Sequence, residues 1–252
     1  MDEQRTGKNF QIVDSKSALA LAAAEAFVGA AQKAVAERGR FLVALSGGST
    51  PQAMFSLLTG ARYRTAVDWP EVHVYWGDER MVDASDPGSN YFHARRLLLD
   101  HVPIPRNQVY RMRGELVVED AAKAYERLLL DAAPDGRAWP KFDLALMGLG
   151  ADGHTASLFP GSDAIHEKRA VAAVTADYQG RPAKRLTLTA PVFNDARQVL
   201  FLVSGADKAS ALAHVIQGLG ATREWPAQII QPNPGKLAWI VDEAAAGLLT
   251  GS

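Results

Sequence analysis

The residue of this sequence best suited to acid–base chemistry is a histidine on a glycine-rich turn. His154 ends the segment 148–154, with Asp152 two residues before it and Thr155 directly after it. A histidine titrates near neutral pH, so it can take a proton from water and return it to a leaving oxygen. A turn of this composition gives the ring no apolar face for core packing. We therefore predict that His154 is a general base and that Asp152 orients it; the alternative is a solvated loop histidine.

The same segment matches the G-x-G-x-x-G pattern of dinucleotide-binding turns, so a nicotinamide or flavin cofactor has to be considered. Three features argue against it. The segment lies in the middle of the chain, a histidine directly follows the third glycine, and Pro160 leaves little room for a long crossover helix. The other five histidines show no metal-ligand spacing. We therefore expect neither an organic cofactor nor a metal ion.

A second glycine-bearing turn has the composition of an anion site. Glycine lets the backbone approach a ligand closely, and the N-terminus of a following helix presents unpaired N–H groups. No Gly-Lys-Ser/Thr follows, so this is not a triphosphate-binding P-loop. We predict that the turn binds phosphate or carboxyl oxygens; a plain strand-to-helix turn is the alternative. Its residues are Ser46, Gly47, Gly48, Ser49 and Thr50.

Charged side chains beside three further apolar runs could complete such a site. Asp78 and Arg80 belong to an Asp-Glu-Arg turn. Arg80 could donate two hydrogen bonds to substrate oxygen. Asp78 could bond sugar hydroxyls or support the base. Arg185 and Lys208 are isolated cations near predicted strand ends. Each is by itself more typical of a surface charge. Together with the glycine turn they predict a local positive pocket that would suit a phosphate monoester.

The elements that must position these residues alternate along the chain. Short apolar runs predict strands at 40–45, 72–76, 142–147, 170–174, 186–189, 199–203 and 237–241. Helices are predicted at 17–38, from Pro51 onward, at 89–100, at 208–217 and at the C-terminus. Ser15 or Ser17 can cap the first helix, Gly39 can end it, and Ser49 or Thr50 can cap the second. This alternation is typical of an α/β fold with a mainly parallel, Rossmann-like sheet flanked by helices.

Four of the predicted strands end in glycine-bearing polar turns, at 46–48, 77–80, 148–154 and 204–205. In parallel α/β sheets ligands sit at the carboxyl ends of the strands. Parallel strands would bring all four turns to the same edge. We predict the functional site there.

Composition narrows the classes of partner. The chain has 252 residues, and its 27 basic and 28 acidic side chains leave a net charge of −1. No chain-wide basic field exists to attract nucleic acid, so an anionic ligand would need a local positive pocket. The lack of cysteine excludes disulfides, thiolate zinc sites and a cysteine nucleophile, and it fits a reducing cytoplasm.

Neither a signal peptide nor a membrane segment is predicted. The N-terminus carries early acidic residues and no apolar core region. The longest apolar stretch, 18–31, is interrupted by Glu25 and is too short to span a bilayer. We expect a cytoplasmic protein, monomeric or a small homo-oligomer, with no nucleic-acid or membrane partner.

Several segments resemble the signature sequences of 6-phosphogluconolactonases. The most specific is DLALMGLGADGHTASLFPG at 143–161. The resemblance runs from about Leu42 to the C-terminus. The other matching segments are LSGGSTP (45–51), WGDER (76–80), SNYFHARRLLL (89–99), RLTLTAP (185–191), the G-x-x-K setting of Lys208, PAQIIQP (226–232) and AWIVDEAAA (238–246).

This resemblance implies a single α/β domain over residues 1–252, related in fold to glucosamine-6-phosphate deaminase. It implies hydrolysis of a small phosphorylated sugar lactone, 6-phospho-D-glucono-1,5-lactone, to 6-phosphogluconate in the oxidative pentose phosphate pathway, without an organic cofactor. The family's catalytic histidine corresponds to His154 and the arginine of its Asp-Glu-Arg segment to Arg80. Its phosphate-side arginine and lysine correspond to Arg185 and Lys208.

Deaminases are the main alternative, because they share the glycine turn, the acidic turn and an Asp-Gly-His. In them the segment after the histidine runs into Asn-Glu-Pro, whose glutamate assists the histidine. The corresponding residues here are Leu158, Phe159 and Pro160. A lactonase needs one base to activate water, whereas an aldose–ketose isomerisation needs several proton transfers, so the missing acid favours hydrolysis. A non-catalytic sugar-phosphate sensor is the third alternative, but no DNA-binding segment is recognisable.

Overall fold

Short apolar runs alternate along the chain with longer segments rich in Ala and Leu. In the computed structural model, which describes residues 9–249, the short apolar runs form strands and the Ala- and Leu-rich segments form helices. The strands are β1 (Asn9–Val13), β2 (Phe41–Leu45), β3 (Val72–Trp76), β4 (Asp78–Arg80), β5 (Val109–Tyr110), β6 (Leu144–Met147), β7 (Val171–Thr175), β8 (Lys184–Leu188), β9 (Gln198–Val203) and β10 (Lys236–Asp242). The α-helices are α1 (Lys16–Arg38), α2 (Ser49–Leu58), α3 (Ala61–Arg64), α4 (Asn90–Ala94), α5 (Val118–Ala132), α6 (Ala190–Asn194), α7 (Ala209–Gln217) and α8 (Glu243–Ala246). A π-helix, Arg95–Leu99, continues α4.

Seven strands form one sheet in the order β1-β10-β9-β6-β2-β3-β5, and every neighbouring pair is parallel. The central strands β2 and β6 are buried along their whole length. Strands that are apolar throughout are typical of a parallel sheet covered on both faces. The predicted mainly parallel sheet flanked by helices is therefore confirmed.

The four segments that were predicted to meet at one edge do so, although one of them, 77–80, leads into a strand. Strands β9, β6, β2 and β3 are consecutive in the sheet and parallel. The turns after them, at 204–205, 148–154, 46–48 and from 77 onward, therefore lie side by side at its carboxyl edge.

Helix α1 begins and ends as predicted. The hydroxyl of Ser15 accepts a hydrogen bond from the N–H of Ala18 at 3.2 Å, and Gly39 ends the helix with a φ of 71°. At 23 residues the helix is long enough and apolar enough to cross a membrane, so the length argument drawn from residues 18–31 was wrong. Its apolar face, which includes Leu19 and Phe27, is buried, and the helix lies against β2 and β10. Packing on the sheet thus accounts for its composition.

The predicted cap of α2 was wrong. Ser49 is already the first helical residue, and Gly48 occupies the cap position with a φ of 108°. Glycine has no side chain with which to cap, so the first N–H groups of α2 keep their capacity to bind a ligand. Pro51 lies in the first turn, as predicted.

The other three strands form a small antiparallel sheet in the order β4-β8-β7. Residues 77–80 were predicted as a polar turn, which was wrong, because Asp78 pairs with Thr187 and Arg80 pairs with Arg185. The strands predicted at 170–174 and 186–189 exist, but they belong to this antiparallel sheet. A pattern read along the chain does not reveal pairing between segments so far apart.

Five elements were not predicted: the two edge strands β1 and β5, and the helices α3, α5 and α6. Helix α5 matters for the site, because the hydroxyl of Tyr125 accepts a hydrogen bond from the N–H of Trp76 at 3.0 Å. Tyr125 is buried and fixes the end of β3 directly before the turn that leads into β4.

Candidate active site

The carboxyl edge of the large sheet opens into a cavity of about 490 Å³. The turns after β2, β3, β6 and β9 form its walls, together with part of β8 and the loop between β7 and β8. The structure brings the predicted site residues together, apart from Asp152, which contacts His154 instead of lining the cavity. The predicted residues that line it are Ser46, Gly47, Gly48, Ser49, Thr50, Asp78, Arg80, His154, Arg185 and Lys208.

Asp152 holds the imidazole of His154. Nδ1 of His154 and Oδ1 of Asp152 are 2.5 Å apart, and the backbone N–H of His154 donates to the same oxygen at 3.2 Å. Burial acts to raise the pKa of Asp152, but its hydrogen bonds with His154 and the charge of that ring outweigh burial and lower the pKa. An ionised carboxylate only accepts hydrogen bonds, so Nδ1 carries the proton. Nε2 is then the nitrogen available to the cavity.

Two aromatic rings fix the plane of this imidazole. Phe159 stacks on His154 with a centroid distance of 4.3 Å and an interplanar angle of 26°, and Tyr178 meets it edge-on at 4.5 Å and 77°. The His154 side chain is 14% exposed. The expectation that the turn gives the ring no packing partner was therefore wrong, because the partners come from later in the chain.

Gly150 makes the contact between His154 and Asp152 possible. A Cβ atom at Gly150 would lie 2.0 Å from Nδ1 of His154 and 2.4 Å from Oδ1 of Asp152. The N–H of Gly150 also donates to the carbonyl of His154 at 2.8 Å, which closes the turn. Only a residue without a side chain fits at this position.

The chain after this turn contradicts the dinucleotide alternative. A dinucleotide cradle needs a helix that begins at the third glycine, so that its N-terminus faces the pyrophosphate. Between residues 148 and 167 the chain instead forms turns and one 3₁₀-helix, Asp163–His166. Of the glycines of 148–154, Gly150 leaves room for the contact between His154 and Asp152, and Gly153 leaves room for Trp225.

Replacing Gly150 with alanine is expected to lower kcat by about 100-fold, because the new Cβ displaces the imidazole or breaks its bond to Asp152, and a misplacement of about 1 Å costs that much. Steady-state kinetics on the substrate proposed below would measure it. Gly29→Ala is the matched control: a Cβ there meets nothing within 4 Å. It lies inside α1, so that variant should keep full activity and gain about 0.5–1 kcal/mol of stability. Full activity of Gly150→Ala would contradict the assignment.

Asp152→Asn is expected to lower kcat by about 10²–10⁴-fold, because the amide no longer enforces the tautomer with the proton on Nδ1. Steady-state kinetics would measure the loss. Asp135→Asn, at an exposed aspartate, is the control and should behave as the wild type. A wild-type kcat in a folded Asp152→Asn protein would show that Asp152 does not act through the ring.

Two arginines face each other across the small sheet. Arg80 on β4 lies directly opposite Arg185 on β8, and only 9% and 2% of these residues are exposed. Like charges directly opposite in an antiparallel pair repel each other. Nε of Arg80, and Nε and Nη2 of Arg185, are buried without a hydrogen-bond partner in the described part of the chain. An anion bound between these donors would satisfy them and cancel the repulsion.

The surroundings of Arg185 strengthen this conclusion. Its guanidinium lies 5.2 Å from the centroid of Phe159, the ring that also stacks on His154. Burial lowers the pKa of Arg185; the charge of Asp78 opposes this, while the charges of Arg80 and Arg181 add to it. Arg185 is thus a partly desolvated cation that contacts the same phenyl ring as the imidazole.

Successive side chains of strand β4 point to opposite faces of the sheet, as in any β-strand. Asp78 and Arg80 line the cavity. Glu79 points away from it and accepts hydrogen bonds from the N–H groups of Asn90 (2.7 Å) and Tyr91 (2.8 Å), which anchors the start of α4. Glu79 is therefore a structural residue.

Asp78 and Arg80 are both partly committed to neighbours. Oδ2 of Asp78 accepts from the hydroxyl of Ser157 at 2.7 Å, and its Oδ1 accepts from the amide of Asn90 at 3.2 Å. Asp152, and not Asp78, is the partner of His154. Asp78 supports the site by holding the side chains of Ser157 and Asn90 in place. Nη1 of Arg80 donates to the carbonyl of Gly88 at 2.6 Å, which leaves fewer donors for the predicted two-donor grip on a substrate oxygen.

The glycine turn after β2 is locked against α4. A Cβ at Gly47 would lie 1.8 Å from Oδ1 of Asn90, so the backbone approaches that amide as only glycine allows. Nζ of Lys16 donates to the hydroxyl of Ser49 at 3.1 Å and adds a cation beside the turn. On the other side of the cavity, Nζ of Lys208 lies 3.0 Å from Oδ2 of Asp207.

The cavity has the local positive charge that the sequence predicted. Its lining includes two carboxylates, Asp78 and Asp207, and five cationic side chains, which therefore outnumber them. The cations are Lys16, Arg80, Arg181, Arg185 and Lys208. Among residues 9–249, no group of three or more histidine, aspartate or glutamate side chains is arranged to hold a metal ion.

Several residues of this site were not predicted from the sequence, among them Asn90, Ser157, Lys16, Tyr178 and Arg181. Asn90 and Ser157 lie inside segments that resemble the family's signatures, so membership of those segments could have drawn attention to them. Lys16, Tyr178 and Arg181 carried no such signal. They reach the cavity only because α1 and the β7–β8 loop fold over it.

Known proteins resemble this chain over most of its length. A family model described as "Glucosamine-6-phosphate isomerases/6-phosphogluconolactonase" matches residues 14–239. A protein of Synechocystis sp. named 6-phosphogluconolactonase is 41% identical over 215 residues, which are 84% of this chain and 86% of that protein. The solved structure of 6-phosphogluconolactonase from Trypanosoma brucei has a TM-score of 0.86 and 28% identity, and the match covers 96% of this chain and 99% of that one.

The predicted relation to the deaminase fold is confirmed. The structure of a monomeric glucosamine-6-phosphate deaminase has a TM-score of 0.81 at 21% identity, covering 95% of this chain and 99% of that chain. At this identity the likeness shows a shared fold and does not bear on the reaction. From the matched family model and the relatives that cover most of its length, the chain belongs to the glucosamine-6-phosphate isomerase/6-phosphogluconolactonase family.

Proposed function

We propose that this chain hydrolyses 6-phospho-D-glucono-1,5-lactone to 6-phosphogluconate in the oxidative pentose phosphate pathway, with His154 as the general base. The observation that carries the proposal is that the Phe159 ring contacts two groups: the oriented imidazole of His154, and the desolvated guanidinium of Arg185, whose Nε and Nη2 have no partner among the described residues. The first can activate water and the second can hold a phosphate dianion. A cytoplasmic location, which the lack of cysteine supports, is part of the same proposal.

The phosphate of the substrate is held by Arg185, Lys208 and the N–H groups at the start of α2. Arginine donors and a helix N-terminus both favour an anion with several acceptor oxygens. Holding the phosphate fixes the lactone ring relative to His154 and removes much of the entropic part of the barrier.

Nε2 of His154 takes a proton from water as the water oxygen bonds to C1 of the lactone. The negative charge that develops on the carbonyl oxygen is stabilised by Arg80 or by backbone N–H groups of a glycine turn, and one such donor is worth about 3–4 kcal/mol. As the tetrahedral intermediate collapses, the bond between C1 and the ring oxygen breaks. Nε2 returns its proton to that oxygen, and the carboxylate of Asp152 stabilises the imidazolium in between.

One base is sufficient for this reaction, and the packing around His154 fits that requirement. The position at which deaminases have an assisting glutamate holds Phe159, whose ring stacks on the imidazole. A stacked phenyl ring fixes the orientation of the imidazole but transfers no proton. This contact supports hydrolysis over the several proton transfers of an isomerising deamination.

A proton-release assay on freshly prepared 6-phospho-D-glucono-1,5-lactone, run with a chelator present, tests the proposal. We expect acid production well above the spontaneous rate and in proportion to the protein concentration. A rate equal to the spontaneous one would reject the lactonase assignment. Ammonia release from glucosamine 6-phosphate, followed in parallel, would assign the deaminase reaction in its place.

A further inference from the structure

Tyr178 lies on the loop 176–183, which joins β7 to β8 and contributes to the wall of the cavity. Two backbone hydrogen bonds close this loop: the N–H of Ala176 donates to the carbonyl of Ala183 at 3.0 Å, and the N–H of Arg181 donates to that of Tyr178 at 3.1 Å. These hydrogen bonds hold the backbone at Tyr178 in a defined position.

The ring of Tyr178 contacts the base. It meets His154 edge-on with a centroid distance of 4.5 Å and lies 5.9 Å from Phe159. Phe159 covers a face of the imidazole, and Asp152 takes its Nδ1. These three contacts leave the imidazole one orientation, in which Nε2 is the nitrogen free to reach water in the cavity.

The hydroxyl of Tyr178 is buried and has no hydrogen-bond partner among the described residues. A buried hydroxyl without a partner is costly, so such groups call for an explanation. The unpartnered Nε and Nη2 of Arg185 belong to the same part of the cavity, because Arg185 and Tyr178 both line it, both contact Phe159 and interact electrostatically. A guanidinium only donates, so a group that satisfies both side chains must be an acceptor.

We propose that Tyr178 serves the site in two separable ways: its hydroxyl donates a hydrogen bond to the phosphate of the substrate beside Arg185, and its ring, together with Phe159, positions His154. The inference rests on the proposed function, because it gives Tyr178 a role toward the same substrate. A phosphate oxygen is the acceptor that the three unpartnered donors share.

Two substitutions separate the two roles. Tyr178→Phe keeps the ring and removes the donor, so KM for the phosphorylated lactone should rise by about 10–100-fold, with kcat within about threefold of the wild type. KM for unphosphorylated glucono-1,5-lactone should not change. Tyr178→Leu removes the ring as well, so kcat should fall by about 10–100-fold with both lactones. Tyr63→Phe, whose hydroxyl bonds Glu25 away from the cavity, is the matched control.

Measurements without turnover distinguish failure of this inference from failure of the proposed function. Calorimetry with inorganic phosphate should show weaker binding to Tyr178→Phe than to the wild type, and the ¹H–¹⁵N signals of the His154 ring should differ between the wild type and Tyr178→Leu. An inactive wild type that still shows these differences would reject the lactonase and keep the inference. Wild-type KM and phosphate affinity in Tyr178→Phe would overturn the role of the hydroxyl. Wild-type kcat and ring signals in a folded Tyr178→Leu, with folding checked by Tm, would overturn the role of the ring.

Discussion

Replacing His154 with alanine is expected to lower kcat on the phosphorylated lactone by about 10²–10⁴-fold, the contribution typical of a positioned general base. KM should change little, because the imidazole does not hold the phosphate in the proposed complex. The residual rate should remain above the spontaneous one, since the donors for the carbonyl oxygen are still present. Proton release under saturating lactone measures kcat directly.

His166→Ala is the matched control for this variant, because His166 is exposed and does not line the cavity. It should behave as the wild type. The thermal unfolding of His154→Ala should be recorded as well, because the substitution leaves the carboxylate of Asp152 without its partner. A near-wild-type kcat in a folded His154→Ala protein would remove His154 from the mechanism.

Arg185→Met is expected to lower kcat/KM on the phosphorylated lactone by about 10²–10⁴-fold. The variant loses two hydrogen bonds to a charged group, each worth about 1.5–3 kcal/mol, and every 1.4 kcal/mol is tenfold. The ligand-free protein should be at least as stable as the wild type, because a buried cation that faces Arg80 is replaced by an apolar side chain of similar length. Loss of activity combined with a retained or raised Tm would be typical of a binding residue.

The substrate without a phosphate supplies the decisive comparison for Arg185. Hydrolysis of glucono-1,5-lactone should be nearly the same in the wild type and in Arg185→Met. An equal loss with both lactones would mean that Arg185 serves the reacting carbonyl and not the phosphate. Arg169→Met is the control, because Arg169 is exposed and paired with Glu167 at the surface.

Local patterns in the sequence were sufficient to place the edge at which the site lies. Strands β2, β3, β6 and β9 are short apolar runs, and each is followed by a glycine-bearing polar turn. In a parallel sheet the carboxyl ends of all strands lie at the same edge, so these turns must come together there. The segment around His154 was recognisable for the same reason, since its glycines and histidine are neighbours in the chain.

Contacts between distant segments could not be predicted. The antiparallel pairing of β4 with β8 sets Arg80 against Arg185, and neither strand carries a local sign of its partner. The hydrogen bond between Ser157 and Asp78, and the contact of Tyr178 with His154, likewise depend on how loops fold over the sheet edge. The turn between Asp152 and His154 is local, but a spacing of two residues does not specify the contact; Gly150 decides it by leaving room.

The base and the paired arginines belong to different sheets. His154 sits on a turn of the seven-stranded sheet, whereas Arg80 and Arg185 sit on the three-stranded one. The two are joined at Gly77, whose carbonyl accepts a hydrogen bond from the N–H of Leu188 at 2.7 Å, and a Cβ built on Gly77 would lie 3.4 Å from the Phe193 ring. The spacing between His154 and Arg185 therefore depends on this contact between the two sheets. A substitution at Phe193, which does not line the cavity, should then alter activity without removing any contact to the ligand.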